Sequence, residues 1–225
     1  MSLNCLPTVN KRPLSAFFLC AVFIIFPLLF AHAESNTITF SADSMSGTTK
    51  ENSEYTLLKG NAAIKTNTME LNADSIELSG TEYRKIKALG SVKGVYSDGG
   101  FGFTCNSLRH DRETGITVLE GSVFMDDTEN KVEAKAEYIE YNKKNETAFI
   151  QINTEIKQED AVCTAAFAVY RKKQRILELN GAPKIVEGSN VFRAQEIVFN
   201  LDTKEIVLDG KVSGSVTDTK KTEKD

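Results

Sequence analysis

The chain has 225 residues, 41% of them hydrophobic and 26% charged, with 27 Lys+Arg against 31 Asp+Glu and a formal net charge of −4. An acidic balance with no basic stripe excludes a nucleic-acid ligand held through its phosphates. The length suffices for one domain with a sizeable core.

The first segment reads as an address. Lys11 and Arg12 precede an apolar run from Leu14 to Phe30, and Ala31-His32-Ala33 then places small residues ahead of Glu34. A basic region, an apolar region and an A-x-A site in that order predict an export signal over residues 1–33, cleaved before Glu34. The apolar run is also nearly long enough to span a bilayer, so an uncleaved anchor stays open. Cys20 lies mid-run without the small residues that precede a lipid-modified cysteine. Cleavage leaves 25 Lys+Arg against 31 Asp+Glu, a charge of −6, and two cysteines, Cys105 and Cys163. These lie two repeats apart on apolar faces, too distant to bridge, and are expected to be buried free thiols.

The stretch LNADSIEL, Leu71 to Leu78, sets the pattern of the remainder. Met69, Leu71 and Ala73 alternate with polar residues, and then the phase slips, so that Ile76 and Leu78 follow three on from Ala73 instead of two. A slip of one turns side chains to the opposite face unless the strand bends there. The slip recurs after Ala42 (to Met45), after Cys105 (to Leu108), after Ala136 (to Ile139), after Ala165 (to Ala168) and after Ala194 (to Ile197). Between these arms run others marked by glycine, as in ITVLEGSVFM. Gly60, Gly90, Gly121, Gly181 and Gly210 recur about every 30 residues, with a double gap before Gly181 that holds FIQINTEI and Ile152 at the glycine position. Turn-forming clusters such as Ser97-Asp98-Gly99-Gly100, Asn142-Lys143-Lys144-Asn145 and Asp202-Thr203-Lys204 separate the arms and signal hairpins.

Every arm is therefore interrupted near its middle, by a glycine or by the alanine slip. A bent arm runs through one sheet, turns a corner and continues in a facing sheet. The expected fold is all-β: an elongated stack of bent antiparallel hairpins with two facing walls, in about six repeats of ~30 residues. It occupies residues 34–216, and residues 217–225, TDTKKTEKD, form a charged disordered tail. Apolar columns line the inside of a two-walled trough. Ile152 in place of glycine, Pro183 within a strand and Ala166 in place of a polar slip residue are irregularities in the fourth and fifth periods.

With ADSM at Ala42, ADSI at Ala73 and AEYI at Ala136, and with GNAAI, GSVKG, GSVFM and GKVSG between them, the chain resembles the OstA-like, or LptA, family of periplasmic lipopolysaccharide-transport proteins over residues 36–215. The resemblance implies a β-jellyroll open along its length. It implies a carrier that shelters lipopolysaccharide acyl chains and forms part of a bridge from inner to outer membrane. The implied partners are lipopolysaccharide, an inner-membrane LptC-like protein, the N-terminal domain of an outer-membrane translocon, and further copies joined edge to edge. A membrane-anchored LptC-like subunit and an edge-to-edge β-repeat protein carrying no lipid are the alternatives.

The inward apolar residues that would meet lipid are Phe40, Leu71, Ile76, Phe103, Leu108, Val123, Met125, Ile139, Phe192 and Ile197. Periodicity does not distinguish a lined groove from a filled core at these positions. The terminal edges are expected at Ile38, Phe40, Ala42 and Met45, and at Ile206, Leu208 and Val212, with Ile38–Met45 and Ile206–Gly214 ready to accept a neighbour's strand. The polar slip residues Asp43, Asp74, Asn106, Glu137 and Gln195 suit a structural role, bonding backbone groups freed by the bend. No cofactor, metal or catalytic residue is expected. His110, the one histidine beyond the signal, reads as a surface or turn residue, and Asp126-Asp127 as a solvated turn.

Overall fold

The computed structural model describes residues 37–48, 50, 54–97 and 101–217. The proposed signal and all but the first residue of the charged tail lie outside them. Among the described residues the one helical element is a single 3-10 turn, Thr81–Tyr83, and no helix is long and apolar enough to cross a membrane. The chain begins with two short strands, β1 (Thr39–Ser41) and β2 (Ser44–Thr48). Eight long strands follow in meander order: β3 (Tyr55–Lys65), β4 (Met69–Ser79), β5 (Lys85–Tyr96), β6 (Phe101–Asp111), β7 (Ile116–Asp127), β8 (Val132–Asn142), β9 (Thr147–Gln158) and β10 (Ala161–Arg171). Six short ones close the sequence: β11 (Ile176–Asn180), β12 (Lys184–Glu187), β13 (Asn190–Arg193), β14 (Glu196–Asn200), β15 (Ile206–Asp209) and β16 (Ser213–Ser215). All pairings are antiparallel.

Each long strand is broken in register at the place where its sequence slips. Between β3 and β4, Gly60 and Asn61 stand opposite Asp74 alone; between β7 and β8, Gly121 and Ser122 stand opposite Glu137 alone. Two residues against one is a β-bulge, which bends the strand. The bulge backbone is left-handed at both of its residues, φ +79° and +48° at Gly121 and Ser122, which is why glycine recurs at the first. Ile152 adopts the same conformation, φ +66°, although it is β-branched. The bend explains the phase slip. Along β4, Met69, Leu71 and Ala73 before it and Ile76 and Leu78 after it are all buried, so turning the corner keeps both halves facing one interior.

The bends divide the sheet into two walls. At the start, Ala63–Lys65 of β3 pairs with β1, whereas Tyr55–Lys59 pairs with β2. At the end the fork is explicit. Ala161–Thr164 of β10 continues into β12, β13 and β16, and Phe167–Arg171 into β11, β14 and β15. Pro183 is buried between β11 and β12, where it splits into two strands an arm that elsewhere runs continuously through its bulge. The walls are joined along the ridge of bulges and the sheet does not close. Opposite the ridge, two rows of turns face one another across a lengthwise seam. Among the described residues the row on the first wall comprises 66–68, 97, 128–131 and 159–160; that on the second comprises 80–84, 112–115, 143–146, 172–175 and 201–205. The fold is an open β-jellyroll.

Candidate functional site

The repeat builds the interior. Leu71, Ile76, Leu108, Met125, Ile139 and Ile197 have no exposed surface, and Val123 and Phe103 are 2% and 3% exposed. Only the two positions near the ends differ: Phe192 is half-buried against the core and Phe40, on β1, is 50% exposed. The eight sealed side chains come from both walls, so in this conformation the trough is a filled slot and not an open channel. Removing each large aliphatic side chain from water contributes about 1.5–3 kcal/mol, which holds the walls together without directional bonds.

The seam is closed unevenly. Toward the N-terminal end, a cleft of about 720 Å³ lies between Thr66–Thr68 on one rim and Gly80–Lys85 with His110–Glu113 on the other. Next comes an aromatic group. The rings of Phe101, on the first wall, and Tyr141, on the second, stack at 4.7 Å, and Tyr96 meets Tyr141 edge-on at 5.5 Å. The Tyr96 hydroxyl pairs with Thr117 Oγ1, and His110 Nδ1 lies 2.8 Å from the same oxygen. Lys143 Nζ sits 5.8 Å above the Tyr96 ring, a cation–π contact across the seam.

Beyond the aromatics lies a buried polar clasp. Lys172 Nζ donates to Asp127 Oδ1 at 2.8 Å and to Glu129 Oε2 at 2.9 Å, while Tyr170 hydroxyl donates to Asp127 Oδ2 at 2.7 Å. Asn130 Nδ2 also reaches Asp127 Oδ2, at 2.9 Å. Burial pushes the Asp127 carboxyl up, but the bonds from Lys172, Asn130 and Tyr170 together outweigh it and hold the carboxyl below its ordinary range. The same balance raises Lys172, where the contacts to Asp127 and Glu129 outweigh burial. Further on, Lys204 Nζ bonds Gln158 Oε1 at 2.5 Å and Glu159 Oε2 at 2.8 Å, again from one rim to the other.

Two expectations are corrected here. His110 is neither a surface nor a turn residue: it is 6% exposed within β6, and burial lowers its pKa to about 4, keeping the imidazole neutral. Asp127 is no solvated turn residue: it ends β7 with no exposed surface and anchors the clasp. Cys105 and Cys163 are buried free thiols, raised by burial to about 11 and about 12. Among the described residues no group of three His, Cys, Asp or Glu side chains is placed to hold a metal ion.

The bulge ridge uses the polar slip residues for packing. A Cβ on Gly90 would come within 3.0 Å of Asp74 Cβ, and Asp43, Asn106 and Gln195 lie equally close over Gly60, Gly121 and Gly210. Asn61 Nδ2 donates to Asp43 Oδ2 at 2.9 Å. Glu137, which faces Ile152 in place of a glycine, accepts the Ser122 N–H at 3.2 Å.

The sheet edges lie at the two ends. β1 and β2 each pair with β3 alone, carrying Phe40 and the 57%-exposed Met45. Ile38 and Ala42 are partly buried against the core beside them. At the far end β15 pairs with β14 and β16 with β13, each on one side only. Ile206 and Leu208 lie in β15 with side chains toward the core. Val212 departs from expectation: it is in the link between β15 and β16 that crosses from one wall to the other, 55% exposed and in neither strand.

A family model described as LptA/(LptD N-terminal domain) LPS transport protein matches residues 41–205. No curated protein matches the sequence. Among solved structures, LptH, the LptA homologous periplasmic component of the conserved lipopolysaccharide transport device from Pseudomonas aeruginosa, is 10% identical over 81% of this chain and 96% of its own. Its TM-score is 0.27, an overlay too loose to add to the strand pairing itself. The matched segment runs from β1 to the turn before β15 and takes in both walls and nearly all of the seam, so the chain belongs to the LptA/LptD N-terminal-domain family of lipopolysaccharide transport proteins.

Proposed function

We propose that the chain is a periplasmic carrier of lipopolysaccharide, holding acyl chains between its two walls as one segment of a bridge from the inner to the outer membrane. The observation that carries this reading is a continuous apolar interior behind a lengthwise seam that no covalent link closes. A 14-carbon acyl chain in water exposes methylenes worth ~0.8 kcal/mol each, about 10 kcal/mol in all. An interior already filled by aliphatic and aromatic side chains exchanges one set of apolar contacts for another as the walls part, so hydrocarbon is sheltered without being held at one point. Met125, unbranched and polarizable, suits such a surface, and Phe103 and Ile139 add apolar area to it. The chemistry requires no nucleophile or metal. On this reading residues 1–33 are the cleaved export signal, 34–216 the working domain and 217–225 a charged tail.

The one-sided edges at both ends support joining by strand addition, to further copies, to an LptC-like protein and to the N-terminal domain of an outer-membrane translocon. Photocrosslinking tests the carrier. A photoreactive residue at Phe103 or Ile139 is expected to capture lipopolysaccharide, and capture of protein alone refutes lipid carriage. Proline placed in turn at Ser213, Gly214 and Ser215 tests the edge. The position whose N–H points away from β13 should lower concentration-dependent association while melting stays unchanged; unaltered association at all three removes β16 from the interface. N-terminal sequencing of the exported protein should begin at Glu34, whereas an intact start is the anchored alternative.

A further inference from the structure

The seam has a different character at its N-terminal end. From Tyr96 onward it is bridged by stacked rings, by the Asp127–Lys172 clasp and by Lys204. At the cleft, the rim formed by Thr66, Asn67 and Thr68 carries no charge, so no ion pair can tie it to the rim opposite. That opposite rim carries Arg84, Lys85 and Arg112. Arg84 is occupied: its Nε and Nη2 bond Asp111 at 3.0 and 2.7 Å and its Nη1 pairs with Glu113, drawing both acids back. Arg112 is fixed by Nη1, which donates to the carbonyls of Glu82 at 2.9 Å and Tyr83 at 3.3 Å, so its guanidinium is positioned without being neutralised. Lys85 is exposed and has no ion-pair partner among the described residues. Glu82 is the one lining acid not so engaged. Thr68 and Thr81 add hydroxyls around the opening, whereas the buried Thr66 hydroxyl is spent on Met69 and Thr68 of its own turn.

We propose that this cleft is a lateral mouth that seats a phosphorylated saccharide, the head group of an acylated glycolipid whose chains lie between the walls. This rests on the carrier reading above. A head group cannot enter the apolar slot, because burying an unpaired phosphate in it is prohibitive. It must leave the interior through the seam, and among the described residues the mouth is where no ionic tie joins the rims. Arg112 and Lys85 supply charge-assisted donors for phosphate, and the Thr68 and Thr81 hydroxyls supply groups that both donate to and accept from sugar hydroxyls. On a protein that is acidic overall, the lining has a slight positive excess, Arg84, Lys85 and Arg112 against Glu82 and Glu113, which favours an anion here.

Titration of the purified protein tests the seat, with three probes: the deacylated phosphorylated oligosaccharide of lipopolysaccharide, its dephosphorylated counterpart, and inorganic phosphate. The phosphorylated oligosaccharide is expected to bind, and Lys85→Glu to weaken it about tenfold, the scale of one charged hydrogen bond. Arg112→Gln should weaken it similarly. Because Arg112 also braces the Thr81–Tyr83 turn, Lys85→Glu, on an exposed side chain, is the decisive variant, and melting monitors its fold. Binding of inorganic phosphate as tight as that of the oligosaccharide overturns the saccharide seat in favour of a bare anion site. Absence of oligosaccharide binding, or binding indifferent to Lys85→Glu, overturns the seat altogether. Capture of intact lipopolysaccharide at Ile139 in the same wild-type protein then shows that carriage survives without it, whereas loss of that capture alone sinks the carrier and leaves the mouth a saccharide site.

Discussion

Replacing Lys172 with methionine tests whether the clasp holds the seam. In the native protein the Lys172 side chain is 9% exposed and that of Asp127 is fully buried, so neither has water to fall back on. Lys172→Met leaves a buried carboxylate that still receives Tyr170 and Asn130 but has lost its countercharge. Breaking a buried pair from one side costs about 3–5 kcal/mol. The two surviving hydrogen bonds place the expected loss near the lower figure, ~3 kcal/mol. For a domain of this size that lowers the midpoint of thermal unfolding by roughly 6–12 °C. Urea unfolding at neutral pH reads the free energy directly, and the paired variant Asp127→Leu/Lys172→Met should recover most of the loss because no charge remains buried. Acid supplies a second readout. The folded Asp127 carboxyl lies below its unfolded value of 3.8, so its stabilisation is complete above that value and disappears as pH falls through the folded one. The gap between wild type and Lys172→Met should therefore close in strong acid. A loss under 1 kcal/mol at neutral pH, or a paired variant no better than the single one, would refute the clasp.

The bulges yield a pair of opposite signs. Ile152→Gly relieves a left-handed β-branched residue that is 57% exposed and should stabilise by about 1 kcal/mol, whereas Gly90→Ala, at φ +77° and crowded by Asp74, should cost about 1–2 kcal/mol in the same urea assay. His110 is held neutral, its folded pKa of about 4 lying below the ordinary 6.5, so the unfolded chain takes up the proton first and stability falls as pH drops from 6.5 toward 4. His110→Gln should flatten that slope by about 3 kcal/mol across the window, and an unchanged slope would mean the imidazole is not buried neutral. The thiols of Cys105 and Cys163 should resist a thiol reagent in the folded protein and react together on unfolding in urea; rapid labelling without denaturant would contradict their burial.

The architecture was legible because it leaves marks of period two. Alternation, the slip after alanine and the glycine one arm away record the same event, a bulge at which the strand turns a corner, and the register breaks at Asp74 and Glu137 fall at the slip. The seam was not read, although its signal was present. His110 is in phase with Leu108, Asp127 with Met125, Gln158 with Ile156 and Lys172 with Tyr170; each is the next inward position after the last apolar one, and each is buried. Ending the alternation where hydrophobicity ends places His110 and Asp127 in solvent and leaves Gln158 and Lys172 without a role. They are the polar rim of the slot, and their partners lie far off in sequence, 45 residues in the case of Lys172 and Asp127, where no local pattern reaches. Val212 was misplaced for a related reason: a short link between walls has the same composition as a strand end.

On the carrier reading proposed above, the filled interior bears on how the slot would open. Parting the walls removes apolar contacts that incoming acyl chains replace at a similar ~25 cal/mol per Å², so the hydrophobic balance of loading is near zero wherever hydrocarbon follows the opening. The unreplaced losses are polar. Tyr170, Lys172 and Asp127 would give up bonds that lipid cannot supply, as would Lys204 with Gln158 and Glu159, while the Thr66–Thr68 rim gives up no ionic tie. Opening is therefore cheapest at the N-terminal mouth and rises in cost at the clasp. The ridge of bulges offers hinge points for such local opening, because alternate long strands, β3, β5, β7 and β9, each turn the corner at two left-handed residues. A slot that zips from one end, instead of gaping along its length, admits a lipid while the rest of the interior stays closed to water.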